Sequence, residues 1–385
     1  MAVSLPLPQG FLSAAGTAGL KLSGNPDCAL IVGEAPLHWA LSTTTNTLKA
    51  ACVTRNRARY EGGAPVRAVV INSGNANCAT GAGGAETNEH FAAAAAAALG
   101  VAPGEVLTAS TGIIGEPLPV AKLARVLPLV SSRLTLDAAP LAQAILTTDL
   151  VPKTATVTLA SGARIVGVAK GSGMIHPNMA TMFGFVLTDA DLPQWTLRSL
   201  WREVVAKSFN QLTVDGDTSP NDMAFLLANP QVPADADEFA WGLTEVAQDL
   251  AKQIARDGEG ATKLLNVQVT GAETDTEARR AARAVVLSPL VKSAAHGNDP
   301  NWGRILSSVG AAGVAFDLDL LIIRVQGVSV YQGAPLRFDA AAVSRSMDAD
   351  ELQLTLDLAA GPGSGTAWGC DLSADYVRIN ADYHT

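Results

Sequence analysis

Residues 170–182 read KGSGMIHPNMATM and lie between two apolar, strand-like runs. A cation, two glycines and a proline lead to a small residue followed by a hydroxyl, Ala180 then Thr181. That order permits a specific reaction. The Thr181 oxygen can attack the carbonyl of Ala180 and displace its own amine, giving an ester that water hydrolyses. The new chain begins with Thr181, whose hydroxyl then sits beside a free α-amine. Such an amine has a pKa of about 8, far below that of lysine, so its neutral fraction can serve as a base toward the hydroxyl. One residue would then supply nucleophile and base. Gly171 and Gly173 permit tight turns, and Pro177 fixes the approach. A phosphate loop is excluded, because Lys170 precedes the glycines and no helical pattern follows. Spacing alone leaves a second reading open, since Ala-Thr pairs are common and a threonine that starts a strand is ordinarily structural.

Other residues have chemistry to offer. Ser110, Thr111 and Gly112 set a hydroxyl beside an unhindered backbone N–H, and both could face one developing oxyanion; a simple turn would use the same residues. Lys170 can bind a carboxylate as a point charge. Glu259 stands in a polar Asp-Gly-Glu-Gly loop, where a solvated carboxylate is the ordinary case. Asn72, Asn75, Asn77, Asp215 and Asp217 lie near glycines and read as turn organisers. The two aspartates lack the glycine and distal glutamate of a calcium loop. The five histidines show no HExxH, and Cys28, Cys52, Cys78 and Cys370 show no zinc or redox spacing. No metal residue is expected, and the cysteines read as reduced and mostly buried.

The 170–182 segment closely resembles the self-cleavage segment of the arginine-biosynthetic ornithine acetyltransferase family, in which the Ala-Thr bond is the scissile one. Further matches occur in family order: INSGNAN at 71–77, STGIIG at 110–115, TTD at 147–149, DGDTS at 215–219, EGATK at 259–263, DPNWGR at 299–304 and the ending DYVRINADYHT at 375–385. Departures are local, at Pro220 and in AHGN at 295–298.

The resemblance implies cleavage between Ala180 and Thr181 into an α chain, residues 1–180, and a β chain, residues 181–385, which pair as a heterotetramer of two α and two β chains. It implies a ping-pong reaction in which Thr181 takes acetyl from N2-acetyl-L-ornithine, releases L-ornithine, and passes the acetyl group to L-glutamate as N-acetyl-L-glutamate. Thr111 and Gly112 would form the oxyanion hole. Thr147, Lys170, Thr181, Glu259, Asn380 and Thr385 would line the substrate pocket, with Glu259 facing an ammonium or helping to move its proton. No cofactor is implied. Members of the family differ in whether acetyl-CoA is also a donor. A self-processing aminopeptidase or amidase would arise by the same cleavage and pass its acyl group to water. A non-catalytic binding protein would keep one uncut chain.

These residues need a scaffold of some size. At 385 residues the chain is more than twice the usual length of one domain, and 48% of it is apolar against 16% charged, so two lobes or one large unit with a substantial core is expected. A net charge of -9 argues against a general nucleic-acid or anionic-membrane binder. The N-terminal residues carry no basic, apolar leader pattern, and the longest apolar run, residues 91–102, is too short to span a bilayer. The cytoplasm is the expected compartment.

Strand-like runs are read at residues 29–32, 68–71 and 164–168, and later at 320–325, 352–358 and 376–379. Helices are read at 86–99, behind acidic first-turn residues, and at 120–134. Leu197, Leu200, Trp201, Val204, Val205 and Phe209 share one helical face, as do Phe239, Leu243, Val246, Leu250 and Ile254. Strands and helices that do not alternate regularly point to an α+β fold. The resemblance implies two lobes of layered sheets and helices, of the ornithine acetyltransferase or self-processing aminopeptidase type, with the active site between them.

Overall fold

The computed structural model describes residues 4–176 and 182–382. Ala180, Thr181 and Thr385 therefore lie outside the described residues.

The described strands form two sheets. The larger contains β1 (Phe11–Gly16), β2 (Cys28–Thr43), β3 (Val66–Asn75), β4 (Val106–Ile113), β5 (Lys153–Thr158), β6 (Arg164–Lys170), β7 (Phe183–Asp191) and β8 (Met223–Pro233). Its order is β4-β3-β2-β8-β7-β6-β5, with β1 paired to β2. Only β3 with β4 and β7 with β8 run parallel; the other pairs are antiparallel. The long β2 pairs with β1 and β3 through its first half and with β8 through its second, and its register against β3 shifts between Val32 and Leu37. The two halves of the sheet turn toward a shared core at this irregularity, where Val69, Ile71, Leu107 and Ala109 pack in one cluster with Val168, Phe183, Phe185 and Phe225.

β7 and β8 lie centrally, between β2 and β6, and are buried on both faces. Their sequences are accordingly continuous apolar runs rather than alternating ones. Phe185 and Phe225 stack across the pair with ring centroids 5.2 Å apart.

Helices cover both faces. α1 (Ala51–Glu61) and α4 (Ala139–Ala144) pack on the shared core, while α2 (Gly81–Leu99) and α3 (Val120–Ser131) pack on one another and on the β1–β4 half. The alanine run of α2 lets Ala95 and Ala96 approach Leu123 and Leu127 of α3. α5 (Gln194–Lys207) and α6 (Ala236–Arg256) cover the opposite face. All five residues of the α6 stripe are buried, each contributing roughly 1.5–3 kcal/mol of transfer free energy. Asp235 caps this helix by accepting from the N–H groups of Asp237 and Glu238.

The smaller sheet has the order β11-β10-β12-β9-β13, from β9 (Leu264–Ala272), β10 (Ile322–Val325), β11 (Val328–Gln332), β12 (Glu351–Asp357) and β13 (Gly363–Cys370). α7 (Asp275–Leu287), α8 (Pro289–His296) and α9 (Trp302–Ala311) share its core, and α10 (Ala340–Ser346) adds Val343. α6 also touches β9 and β13, so one helix joins both sheets. This is the mixed α+β, two-sheet layering expected from the sequence. Among the described residues, no helix is long and apolar enough to cross a membrane.

Four expectations need correction. Residues 376–379 are not a strand: they lie in α11 (Ala374–Asp382), whose start is marked by the Ser373 hydroxyl accepting from the Asp375 N–H at 3.2 Å. Four residues alternating in polarity fit either period, and none of the described strands pairs with them. α2 begins at Gly81, so its first turn is glycine and alanine and holds no acidic residue. α3 ends at Ser131 rather than at residue 134, and Phe209 lies in a short 3-10 turn just beyond α5. The four cysteines are free and buried, as read.

Candidate active site

A cavity of about 150 Å³ opens where β4, the end of β6, the loop after α6 and α11 meet. Thr111, Gly112, Thr147, Lys170, Glu259 and Asn380, the six candidate residues within the described chain, all line it.

Thr111 and Gly112 lie near the end of β4, opposite Ser73 and Gly74 of β3, just where the register becomes irregular at Asn75. Gly112 has φ of +132°, and a Cβ there would overlap the backbone of Gly74 and Asn75. Only glycine lets the two strands approach this closely. Asn221, buried in the wall, donates from its amide to the carbonyls of Ala76 and Ser110, both at 2.6 Å, and so fixes the peptide plane that leads into Thr111.

Lys170 ends β6 and pairs in register with Phe183 at the start of β7, two residues after Thr181. Its ammonium donates to the Thr111 hydroxyl at 3.4 Å, although β3, β2, β8 and β7 separate β4 from β6 in the sheet. The hydroxyl oxygen accepts from Lys170, which leaves its own proton for the cavity. Burial lowers the Lys170 pKa, and the Asp149 charge opposes that shift. Burial would raise the Asp149 carboxyl, but the charges of Lys170 and Lys153 outweigh it and hold Asp149 at about 2.

Glu259 is buried rather than solvated. Its N–H donates to the Ser172 carbonyl at 3.0 Å, and its carboxylate accepts from the Asn380 amide at 2.9 Å. Gly173 packs so close to this carboxylate that a Cβ would overlap it. On α11, Asn380 and Tyr376 stand one turn apart and both face the cavity. Burial, and next the Asp215 charge, push the Tyr376 phenol upward, so it stays a proton donor.

Thr147 follows α4. Its N–H donates to Asp149 at 2.9 Å and its hydroxyl reaches the same oxygen at 3.4 Å. Asp215 organises a turn, as expected, accepting from the N–H groups of Met174 at 2.6 Å, Ile175 at 2.9 Å and Asp217 at 3.1 Å. Both Asp215 and Asp217 also border the cavity, which the turn reading did not anticipate. Asn72, Asn75 and Asn77 bond neighbouring backbone, through Asn72 to the Asn75 carbonyl at 2.8 Å and Asn77 to the Gly84 carbonyl at 2.9 Å.

The cavity thus holds a hydroxyl at a glycine-shaped strand end, a buried cation beside it and a carboxylate opposite. It suits a small zwitterion undergoing acyl transfer. A family model, the ArgJ family, matches residues 12–385. The chain belongs to the ArgJ family. Among relatives called "Arginine biosynthesis bifunctional protein ArgJ", that of Thermus thermophilus is 55% identical over 386 residues, covering 100% of both chains. That of Deinococcus radiodurans is 54% identical over 379 residues, 98% of this chain and 97% of the relative. A crystal structure of the Bacillus halodurans ArgJ protein is 39% identical with a TM-score of 0.50, and the match covers 53% of this chain and 100% of that one.

In this ArgJ-family chain several neighbours of the site carried no readable signal. Asp149 and Tyr376 fall within the TTD and DYVRINADYHT matches but show no chemistry of their own there, while Lys153, Asn221 and Asp257 lie in stretches ordinary for strand or loop. The partners of Asn221 and Asp257 are distant in sequence, and only the fold brings them in.

Proposed function

We propose that the chain cuts itself between Ala180 and Thr181 and uses the freed Thr181 as an acetyl carrier in arginine biosynthesis. N2-acetyl-L-ornithine acetylates Thr181 and leaves as L-ornithine. L-glutamate then takes the acetyl group and leaves as N-acetyl-L-glutamate. Residues 1–180 and 181–385 are the two pieces, and two such pairs form the heterotetramer. The observation that carries this reading is the convergence of Thr111, Gly112, Lys170, Glu259 and Asn380 on one cavity in a chain of this family. The Bacillus halodurans match adds support: a whole chain there corresponds to 53% of this one, the share that residues 181–385 make up.

In the first half-reaction the Thr181 oxygen adds to the acetyl carbonyl, and its proton passes to the Thr181 amine. Charge on the carbonyl oxygen is met by the Thr111 hydroxyl and the Gly112 N–H. As the tetrahedral centre collapses, the ornithine nitrogen takes a proton and leaves, and the acetyl group stays as an ester on Thr181. Lys170 binds the substrate α-carboxylate, and Glu259, held by Asn380, faces an ammonium. Thr147 and Thr385 are the remaining substrate contacts in this reading. Glutamate reverses the sequence, its amine attacking the ester.

Incubation with acetylornithine alone should add one acetyl group to the fragment that begins at Thr181, and glutamate should remove it as N-acetylglutamate. Varying both substrates should give parallel double-reciprocal lines. Intersecting lines with no acetylated fragment would replace the carrier by a ternary complex, and transfer to water without glutamate dependence would indicate a hydrolase. Acetyl-CoA assayed beside acetylornithine tests the second donor.

Gly173→Ala should push the Glu259 carboxylate off Asn380 and lower turnover about tenfold, equivalent to ~1.4 kcal/mol of lost orientation. The overlap is with a side-chain end, so the melting temperature should fall by only a few degrees. Unchanged turnover in the folded variant would show that the Asn380 contact does not position Glu259 for the reaction.

A further inference from the structure

Lys153 places a cation at the start of β5 with no exposed surface. Its ammonium donates to Asp149 at 2.6 Å and, closer still, to Asp257, 104 residues away in sequence. The oxygen of Asp149 that meets Lys153 also accepts from the Gly171 N–H at 2.6 Å, and its other oxygen holds the Thr147 N–H at 2.9 Å. The Asp257 carboxylate accepts from the Leu150 N–H at 3.0 Å, and its carbonyl accepts from the Ser172 hydroxyl at 2.7 Å. The Glu259 N–H in turn donates to the Ser172 carbonyl at 3.0 Å. Three separate loops, carrying Thr147, the residues after Lys170, and Glu259, therefore meet behind the cavity on one ammonium.

We propose that Lys153 is a positioning residue for the acyl-transfer site, holding Thr147 and the Glu259 loop at a fixed separation through Asp149 and Asp257; this rests on the function proposed above. Without the ammonium, two buried carboxylates would face each other and one would take up a proton. A protonated Asp149 would lose acceptor strength toward Thr147 and Gly171 and would cease to offset the charge of Lys170. An uncharged side chain of similar length fills the same space but does none of this, which separates positioning from packing.

The test uses the full chain in wild type, Lys153→Met and Lys153→Met/Asp257→Asn, each checked for cleavage by denaturing mass spectrometry and for folding by thermal melting. Lys153→Met should raise KM for acetylornithine and lower kcat/KM tenfold or more at pH 7. The acidic limb of its kcat/KM profile should move to higher pH, because the carboxylate pair now loses its proton later. The double variant restores the charge balance, so its acidic limb should return toward wild type while KM stays raised. A folded Lys153→Met with wild-type KM and pH profile overturns the role. If Lys153→Met does not fold, the double variant decides: raised KM with a wild-type acidic limb supports the role, and wild-type KM overturns it. A wild type that stays uncut and makes no N-acetylglutamate overturns the proposed function and this role with it. An active wild type beside unchanged variants overturns this role alone.

Discussion

Replacing Thr181 with alanine should leave one uncut chain and abolish acetyl transfer, with turnover down by roughly a thousandfold or more. Both losses have the same origin. In the proposed mechanism the substitution removes both the oxygen that attacks Ala180 during maturation and the oxygen that carries acetyl during turnover. Denaturing mass spectrometry should find two fragments for the wild type and one for the variant. Two fragments from Thr181→Ala would remove Thr181 as the self-cleaving nucleophile. A single fragment that still transferred acetyl at the wild-type rate would separate maturation from catalysis.

Thr111→Ala should slow acetylation of Thr181 by roughly a hundred- to a thousandfold while changing ornithine affinity little, the pattern expected of a donor that acts mainly on the transition state. The geometry favours this hydroxyl because the Lys170 ammonium, 3.4 Å away, occupies its oxygen and directs its proton elsewhere. Single-turnover acetylation and ornithine binding should be measured on protein confirmed to be cut, since the same donors can assist cleavage. A loss of affinity with the saturating acetylation rate unchanged would mean that Thr111 binds ground state and transition state alike. An unchanged acetylation rate with unchanged affinity would remove it from the site.

Periodicity announced the long elements well. The α6 stripe from Phe239 to Ile254 is buried as its spacing required, and the strand cores at 29–32, 68–71 and 164–168 fall inside β2, β3 and β6. Short or unusual segments were harder to read. Residues 376–379 alternate like a strand, yet the Ser373 cap and the bond from Asn380 to Glu259 place them in a helix. The glycines at 81, 83 and 84 disguised the start of α2, since glycine is a poor helix former. At the site, residues within recognisable motifs could be named one by one. Burial of Glu259 could not be read from its polar loop, nor could the bond from Lys153 to Asp257, because both depend on contacts between distant segments.

The placement of β7 and β8 between β2 and β6 has a thermodynamic consequence once the proposed cut is made. Two strands from the second piece then pair on both sides with strands of the first, so neither piece can complete the larger sheet alone. Before the cut, unfolding and refolding are events of one molecule. Afterwards unfolding releases two, and refolding needs an encounter between them, so apparent stability acquires a dependence on protein concentration by mass action. The same pairing favours an order of events: while the pieces are still joined, the sheet can assemble without an encounter between two molecules. The severed bond then acts as a ratchet, committing each molecule to a fold that is far harder to regain than to keep.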